Sequence, residues 1–187
     1  IDSLDVENAY IQAVYFRRTN GIMFPKIDSL DVRILDILQD DVTTPIGEIA
    51  ERVASSKTVV WRRIQRLTDK GVIKARVAVL DHHKVGLGVM VFAYVKMARH
   101  NRDVLPKFIE AVSVYPQVIE CHTLMGHVDF LLKILVSGIE EYEHFVWQKL
   151  SQIDGVQEIN STISMSQMIN TTRMSLRPSE DQVEQDG

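Results

Sequence analysis

The stretch SSKTVVWRRIQRLTDKGVIKAR, Ser55–Arg76, decides how this chain reads. It holds seven basic residues (Lys57, Arg62, Arg63, Arg66, Lys70, Lys74 and Arg76) against one acid, Asp69. Val60, Ile64 and Leu67 recur at helical spacing and define one face that packs inward. Thr58, Arg62, Gln65, Arg66 and Asp69 are expected on the opposite face, with Trp61 on the flank. Ser56 is placed to cap this helix, Lys57–Lys70, and Gly71 to stop it. Val72–Leu80 then alternates and predicts one or two strands.

Two more helices precede it. Leu30, Ile34, Leu35, Ile37 and Leu38 form an apolar stripe behind Ser29, the expected N-cap. Asp40–Pro45 breaks that helix, and Pro45 and Ile46 open a second over Ile46–Val53. Ala54-Ser55-Ser56 is the turn. Three helices and a small strand pair describe a winged helix-turn-helix, and the anion that suits its charge is duplex DNA. A helix pinned by one stripe leaves the other free to enter a major groove about 12 Å wide. Ser55, Ser56 and Thr58 suit close approach at its N-terminal end, where free N–H groups favour phosphate. Arg62 and Arg66 are expected to read guanine edges or clamp phosphates. Lys57, Lys70, Lys74 and Arg76 are expected to neutralise the phosphate backbone, with Trp61, Arg63 and Gln65 completing the DNA-facing set.

The second half differs in charge and in period. The whole chain of 187 residues carries −4, yet from residue 101 onward six basic residues face thirteen acidic ones. A single cysteine, Cys121, excludes an intramolecular disulfide and fits a reducing compartment. The apolar run Val85–Val95 is about half the ~20 residues a membrane span needs. The expectation is a soluble, cytoplasmic protein without membrane partners. Strands are predicted over 86–97, 118–125, 129–136 and 156–172, with helices starting near Asn101 or Asp103 and over Ile139–Ile153. This order is the ferredoxin-like βαββαβ plan, so the fold class is α+β. The sheet face away from the helices is expected to be apolar, through Val91, Ala93, Leu132 and Ile134, and to be covered by a second copy.

The domain plan is 27–76 for the winged helix-turn-helix, 77–85 for a linker strand, 86–176 for the ferredoxin-like domain and 177–187 for a disordered tail. Residues 1–26 read as an N-terminal extension. Ile1–Val6 recurs verbatim as Ile27–Val32, and Met23 stands where a natural start would. The extension is either an appended segment or a native arm, helical around Val6–Arg18.

Ile34-Leu35-Asp36-Ile37-Leu38-Gln39, Ile49-Ala50-Glu51-Arg52-Val53 and Val60-Trp61-Arg62-Arg63-Ile64-Gln65-Arg66-Leu67 resemble the Lrp/AsnC family of transcription regulators. So do Lys70-Gly71-Val72-Ile73, Leu80-Asp81, Gly86-Leu87-Gly88 and Gly126–Lys133. The resemblance covers residues 27–172. It departs at the turn, where relatives usually carry Gly-Leu-Ser against Ala54-Ser55-Ser56 here, at Lys57, where Pro is common, and at Ile169, near which a Lys is frequent. It implies an effector-binding and oligomerisation (RAM-type) second domain, dimers that assemble to tetramers or octamers, and a small amino acid held between dimers. The implied effector residues are Thr123, Leu124, Met125, Gly126 and Asp129 of the hairpin, with Ser164, Met165 and Ser166 from a neighbour's last strand. From the residues alone, Gly126 and Asp129 equally suit a plain hairpin.

No enzyme is expected and no cofactor. Cys121 and His122 would point to opposite faces of a strand, and with His127 they make neither a metal site nor a catalytic set. His82-His83 reads as a turn, and Met165, Met168 and Met174 as interface packing. The expected function is a sequence-specific DNA-binding regulator of amino-acid metabolism or transport, modulated by an amino acid. The alternative is an architectural protein that wraps DNA without an effector.

Overall fold

The computed structural model describes residues 25–98 and 104–179, apart from the Leu105 side chain. Nearly all of the expected extension 1–26 therefore lies outside the described residues. The chain forms two compact units, one running to Val77 and resuming at Thr171, the other Ala78–Asn170.

In the first unit, α1 (Ser29–Asp40), α2 (Ile46–Arg52) and α3 (Lys57–Asp69) enclose a core of Ile34, Ile49, Ala50, Val53, Val60 and Ile64. Leu30, Ile37, Leu38 and Ile73 pack around it. The N-cap of α1 is Asp28 rather than the expected Ser29. Asp28 accepts from the Leu30 and Asp31 N–H groups, and the Asp31 carboxylate answers by accepting the Asp28 N–H, a reciprocal capping box. A carboxylate reaches two donors at once and also favours the positive end of the helix, which a serine hydroxyl does less well. Ser56 caps α3 as expected, accepting from Val59 N–H.

Both α2 and α3 end in the same closure. Gly71 (φ +70°) follows α3, with Gly71 N–H bonded to Thr68 O and Val72 N–H to Leu67 O, each at 2.9 Å. After α2 the left-handed position is held by Ala54 (φ +52°), with Ala54 N–H on Glu51 O and Ser55 N–H on Ala50 O. Thus the turn between the two helices is shaped as glycine would shape it, but by alanine.

The strands expected over Val72–Leu80 do not form: residues 74–80 are exposed and pair with no strand among the described residues. The boundary at 176 also moves. Residues from Thr171 return to the first unit, where Gln39 and Met174 exchange hydrogen bonds and Arg173 meets Asp36 and Asp40. Ser179 closes the return, donating its N–H to Ile27 O and accepting the Ile27 N–H on Oγ. Arg177–Ser179, expected as the start of a disordered tail, belongs to this strap.

The second unit has β1 (Val89–Met97), α4 (Val104–Ser113), β2 (Val118–Thr123), β3 (Phe130–Val136), α5 (Ile139–Gln148), a 3-10 turn (Leu150–Gln152) and β4 (Val156–Ile163). The sheet order is β2-β3-β1-β4 with every pair antiparallel, the ferredoxin-like arrangement. The last helix is shorter than expected because its final turn tightens, and β4 stops nine residues early.

Val91, Ala93, Leu132 and Ile134 correct the expectation for the open face. They are fully buried and share a face with Phe130, whose ring stacks on Phe108 of α4 at 4.3 Å. They lie under the chain's own helices. By strand alternation the open face carries Phe92, Tyr94, Leu131, Lys133, Glu120 and His122, a mixed surface rather than an apolar one.

Candidate nucleic-acid interface and effector hairpin

The helix α3 buries Val60, Ile64 and Leu67 and exposes Lys57, Thr58, Trp61, Arg62, Gln65 and Asp69, as its spacing predicts. Trp61 is 56% exposed, a large apolar ring left beside Arg62 and Gln65. Gln65 Nε2 donates to Asp69 Oδ1 at 3.0 Å, which orients the amide. Lys57 lays its stem across α2, where a side chain at Gly47 would come within 3.1 Å of its Cε. Ser55 is half-buried in the turn, while Ser56, Lys74 and Arg76 are exposed.

Arg66 departs from the expected outward strip. Its Nη2 binds the Asp31 carboxylate, and Arg63 Nη1 binds both Asp28 and Asp31, the latter at 3.0 Å. Asp31 is completely buried. At 100° per residue, Arg66 and Arg63 lie about 80° and 140° around the helix from Thr58, on the flank facing α1. Their sequence partners were visible in Asp28 and Asp31, but nothing local announces that two acids of one helix reach two arginines of another. The Arg63 guanidinium holds the Asp28 carboxyl below the usual carboxylate range, and Asp28 raises Arg63 in turn. Among the described residues, Arg66 Nε is buried without a hydrogen-bond partner.

In the second unit, the hairpin residues sit between β2 and β3. Thr123 ends β2, Leu124 N–H bonds Asp129 O at 2.8 Å, and Gly126 takes φ +150° at the tip. Met125 is 74% exposed. Asp129 ties the tip to β1: its N–H bonds Val95 O and its Oδ2 accepts the Met97 N–H at 2.7 Å. Ser164 lies at the other end of the sheet, its N–H on Met90 O. With Val95 paired to Phe130 and Val91 to Ile163, roughly 20 Å of strand separates the hairpin from Ser164. Met165 and Ser166 line an open cleft of about 510 Å³ with His82 and His83. One chain therefore does not bring the two halves of the expected effector set together.

Cys121 pairs with Leu132 and His122 with Leu131, so they point to opposite faces. Burial pushes the Cys121 thiol up, away from the reactive thiolate. On the open face Glu120 is held below the usual range by Lys133 at 2.9 Å and then by His122. Among the described residues, no helix is long and apolar enough to cross a membrane.

Two family models span most of the chain. A winged helix-turn-helix DNA-binding model matches residues 27–74, and the Lrp/AsnC ligand binding domain matches 90–174. The chain belongs to the Lrp/AsnC family. It is similar to the glutamate uptake regulatory protein of Zymomonas mobilis, 37% identical over 162 residues, covering 87% of this chain and 98% of the relative. The DNA-binding transcriptional activator DecR of Escherichia coli is 30% identical over 148 residues, covering 79% and 97%. Among solved structures, an AsnC family transcriptional regulator from Agrobacterium tumefaciens aligns with TM-score 0.75 at 38% identity, covering 80% and 97%. A transcriptional regulator of Neisseria meningitidis in complex with L-Met aligns with TM-score 0.75 at 31% identity, covering 80% and 96%. This Lrp/AsnC protein is thus a DNA-binding transcriptional regulator and not an enzyme, as its residues predict.

Proposed function

We propose that this Lrp/AsnC chain is a homo-oligomeric, sequence-specific regulator of amino-acid metabolism or transport whose assembly or DNA affinity responds to a small amino acid. The observation that carries the DNA half is the exposed strip Lys57, Thr58, Arg62 and Gln65 on a helix fixed from behind. Lys70, Lys74 and Arg76 extend the same charge beyond it. Five cations that neutralise five phosphates per protomer give a log–log salt slope of about −4.5.

The amino-acid half is supported by the ligand-binding family model and by relatives whose names concern glutamate uptake and proline dehydrogenase. The separation of the hairpin from Ser164–Ser166 favours a site completed by another copy. The dimer reading is supported by Val77, Val79 and Leu80, which are 66–71% exposed on a stretch without a strand partner among the described residues. A second copy supplies the missing partner for such an edge.

Fluorescence anisotropy on a duplex selected from a random pool, repeated with each of the twenty amino acids and paired with light scattering, tests the proposal. A dimer or larger assembly with one amino acid shifting affinity or size supports it. Tight binding that no amino acid alters, with protections repeating along the duplex, favours the architectural reading. A monomer indifferent to duplex at low salt defeats both.

A further inference from the structure

Four charged groups join α1 to α3. Asp31 is fully buried, with one carboxylate oxygen on Arg63 and the other on Arg66, while Asp28 takes Arg63 and caps α1 at the same time. The set is neutral, two acids against two guanidinium groups. A guanidinium committed to a buried carboxylate has little left to offer a phosphate, because leaving would strand a charge without water. Charge pairs of this kind add geometry more surely than stability. Here the geometry is the rotation of α3 about its own axis, since both bonds attach to one flank.

We infer that Asp28 and Asp31 are positioning residues for base reading, and that Arg63 and Arg66 act through them and do not contact DNA. The reading strip then narrows to Thr58, Arg62 and Gln65, with Gln65 steadied by Asp69. This inference rests on the DNA reading above and refines it. Two of the seven basic residues in Ser55–Arg76 leave the electrostatic footprint, while discrimination between sequences depends on them.

The test uses full-length protein, a duplex selected from a random pool, and an unrelated duplex of equal length. Binding is measured across salt for wild type, Arg62→Ala, and the paired Asp31→Asn, Arg66→Gln variant, which removes one acid and one guanidinium together and so leaves the net charge unchanged. Arg62→Ala should lower the salt slope by about 0.9. The paired variant should keep the wild-type slope but lose at least about tenfold in preference for the selected duplex. A slope lowered by about 0.9 in the paired variant would place Arg66 on a phosphate and overturn the inference. An unchanged preference overturns it as well. Wild type and Arg62→Ala that both ignore duplex defeat the DNA reading itself. Should the paired variant fail to fold, arginine side-chain 15N resonances of wild type decide: on adding duplex, Arg62 moves and Arg66 stays. Movement of Arg66 refutes the assignment.

Discussion

Gln39 and Met174 exchange two hydrogen bonds across 135 residues of sequence: Gln39 Nε2 donates to Met174 O at 3.2 Å, and Met174 N–H donates to Gln39 Oε1 at 2.7 Å. One glutamine side chain thereby satisfies both backbone groups of a residue in an otherwise irregular segment. Together with the Ile27–Ser179 exchange, it clasps the strap to both ends of α1.

Removing residues 171–187 should lower the melting temperature of the first unit, whereas Arg173→Ala should cost no more than about 1 kcal/mol. The arginine is 52% exposed and its ion pairs are solvent-screened. Differential scanning calorimetry on the two variants separates the strap from its salt bridges. Equal losses would mean that the charges hold it.

Ala54→Gly should stabilise the protein by about 0.5–1 kcal/mol. An L-residue in the left-handed region costs about 1–2 kcal/mol, part of which glycine returns as unfolded-state entropy. Urea unfolding reads the difference. A destabilised variant would show that the Ala54 methyl packs usefully.

The identity of the α1 cap can be measured directly. Asp28→Ala should cost about 1–2 kcal/mol, Ser29→Ala within about 0.5, and Asp31→Ala about 3–5 because two guanidinium groups lose a buried partner. The order of the three urea midpoints is the check.

Asp28 also sets a pH dependence. Its folded carboxyl lies below the ordinary value of 3.8, chiefly through Arg63. A depressed folded value means its contribution is complete above the ordinary value and disappears as pH falls through the folded one. Thermal stability should hold from pH 7 to 5 and decline below about pH 4. Asp28→Asn should flatten that acid limb, and an unchanged limb would assign it to other carboxylates.

Asp129→Ala should cost about 1–3 kcal/mol by orphaning the Met97 N–H, while Asp129→Asn keeps an acceptor and costs less. An amino-acid response lost in both variants would point to the charge. Loss in the alanine variant alone would point to the hairpin's shape.

Period and punctuation made most of the architecture legible. The stripes of α1 and α3 and the stops at Gly71 and Gly126 are local signals, and each of these features stands where they place it, whereas the alternation over Val72–Leu80 gave no strand. What escaped was long-range. Val91 and Ile134 fall on the helix-covered face because alternation separates the two sides of a strand but does not say which side the chain's own helices cover. The pairing of Arg66 with Asp31 is not legible because a helical wheel separates in from out but does not mark the flank that faces a neighbouring helix. The strap is not legible in the sequence, since Gln39, Asp36 and Asp40 of α1 meet Met174 and Arg173 across more than 130 residues, and no local pattern links them.

That last stretch has a bearing on synthesis. A ribosome releases α1, α2 and α3 long before Met174 and Ser179 have been made, so the amino-terminal bundle must wait, unlatched, while the whole sheet is translated. Its final form waits until Met174 and Ser179 have been made, and a message cut short before them would yield chains whose three helices are present but whose clasp never closes.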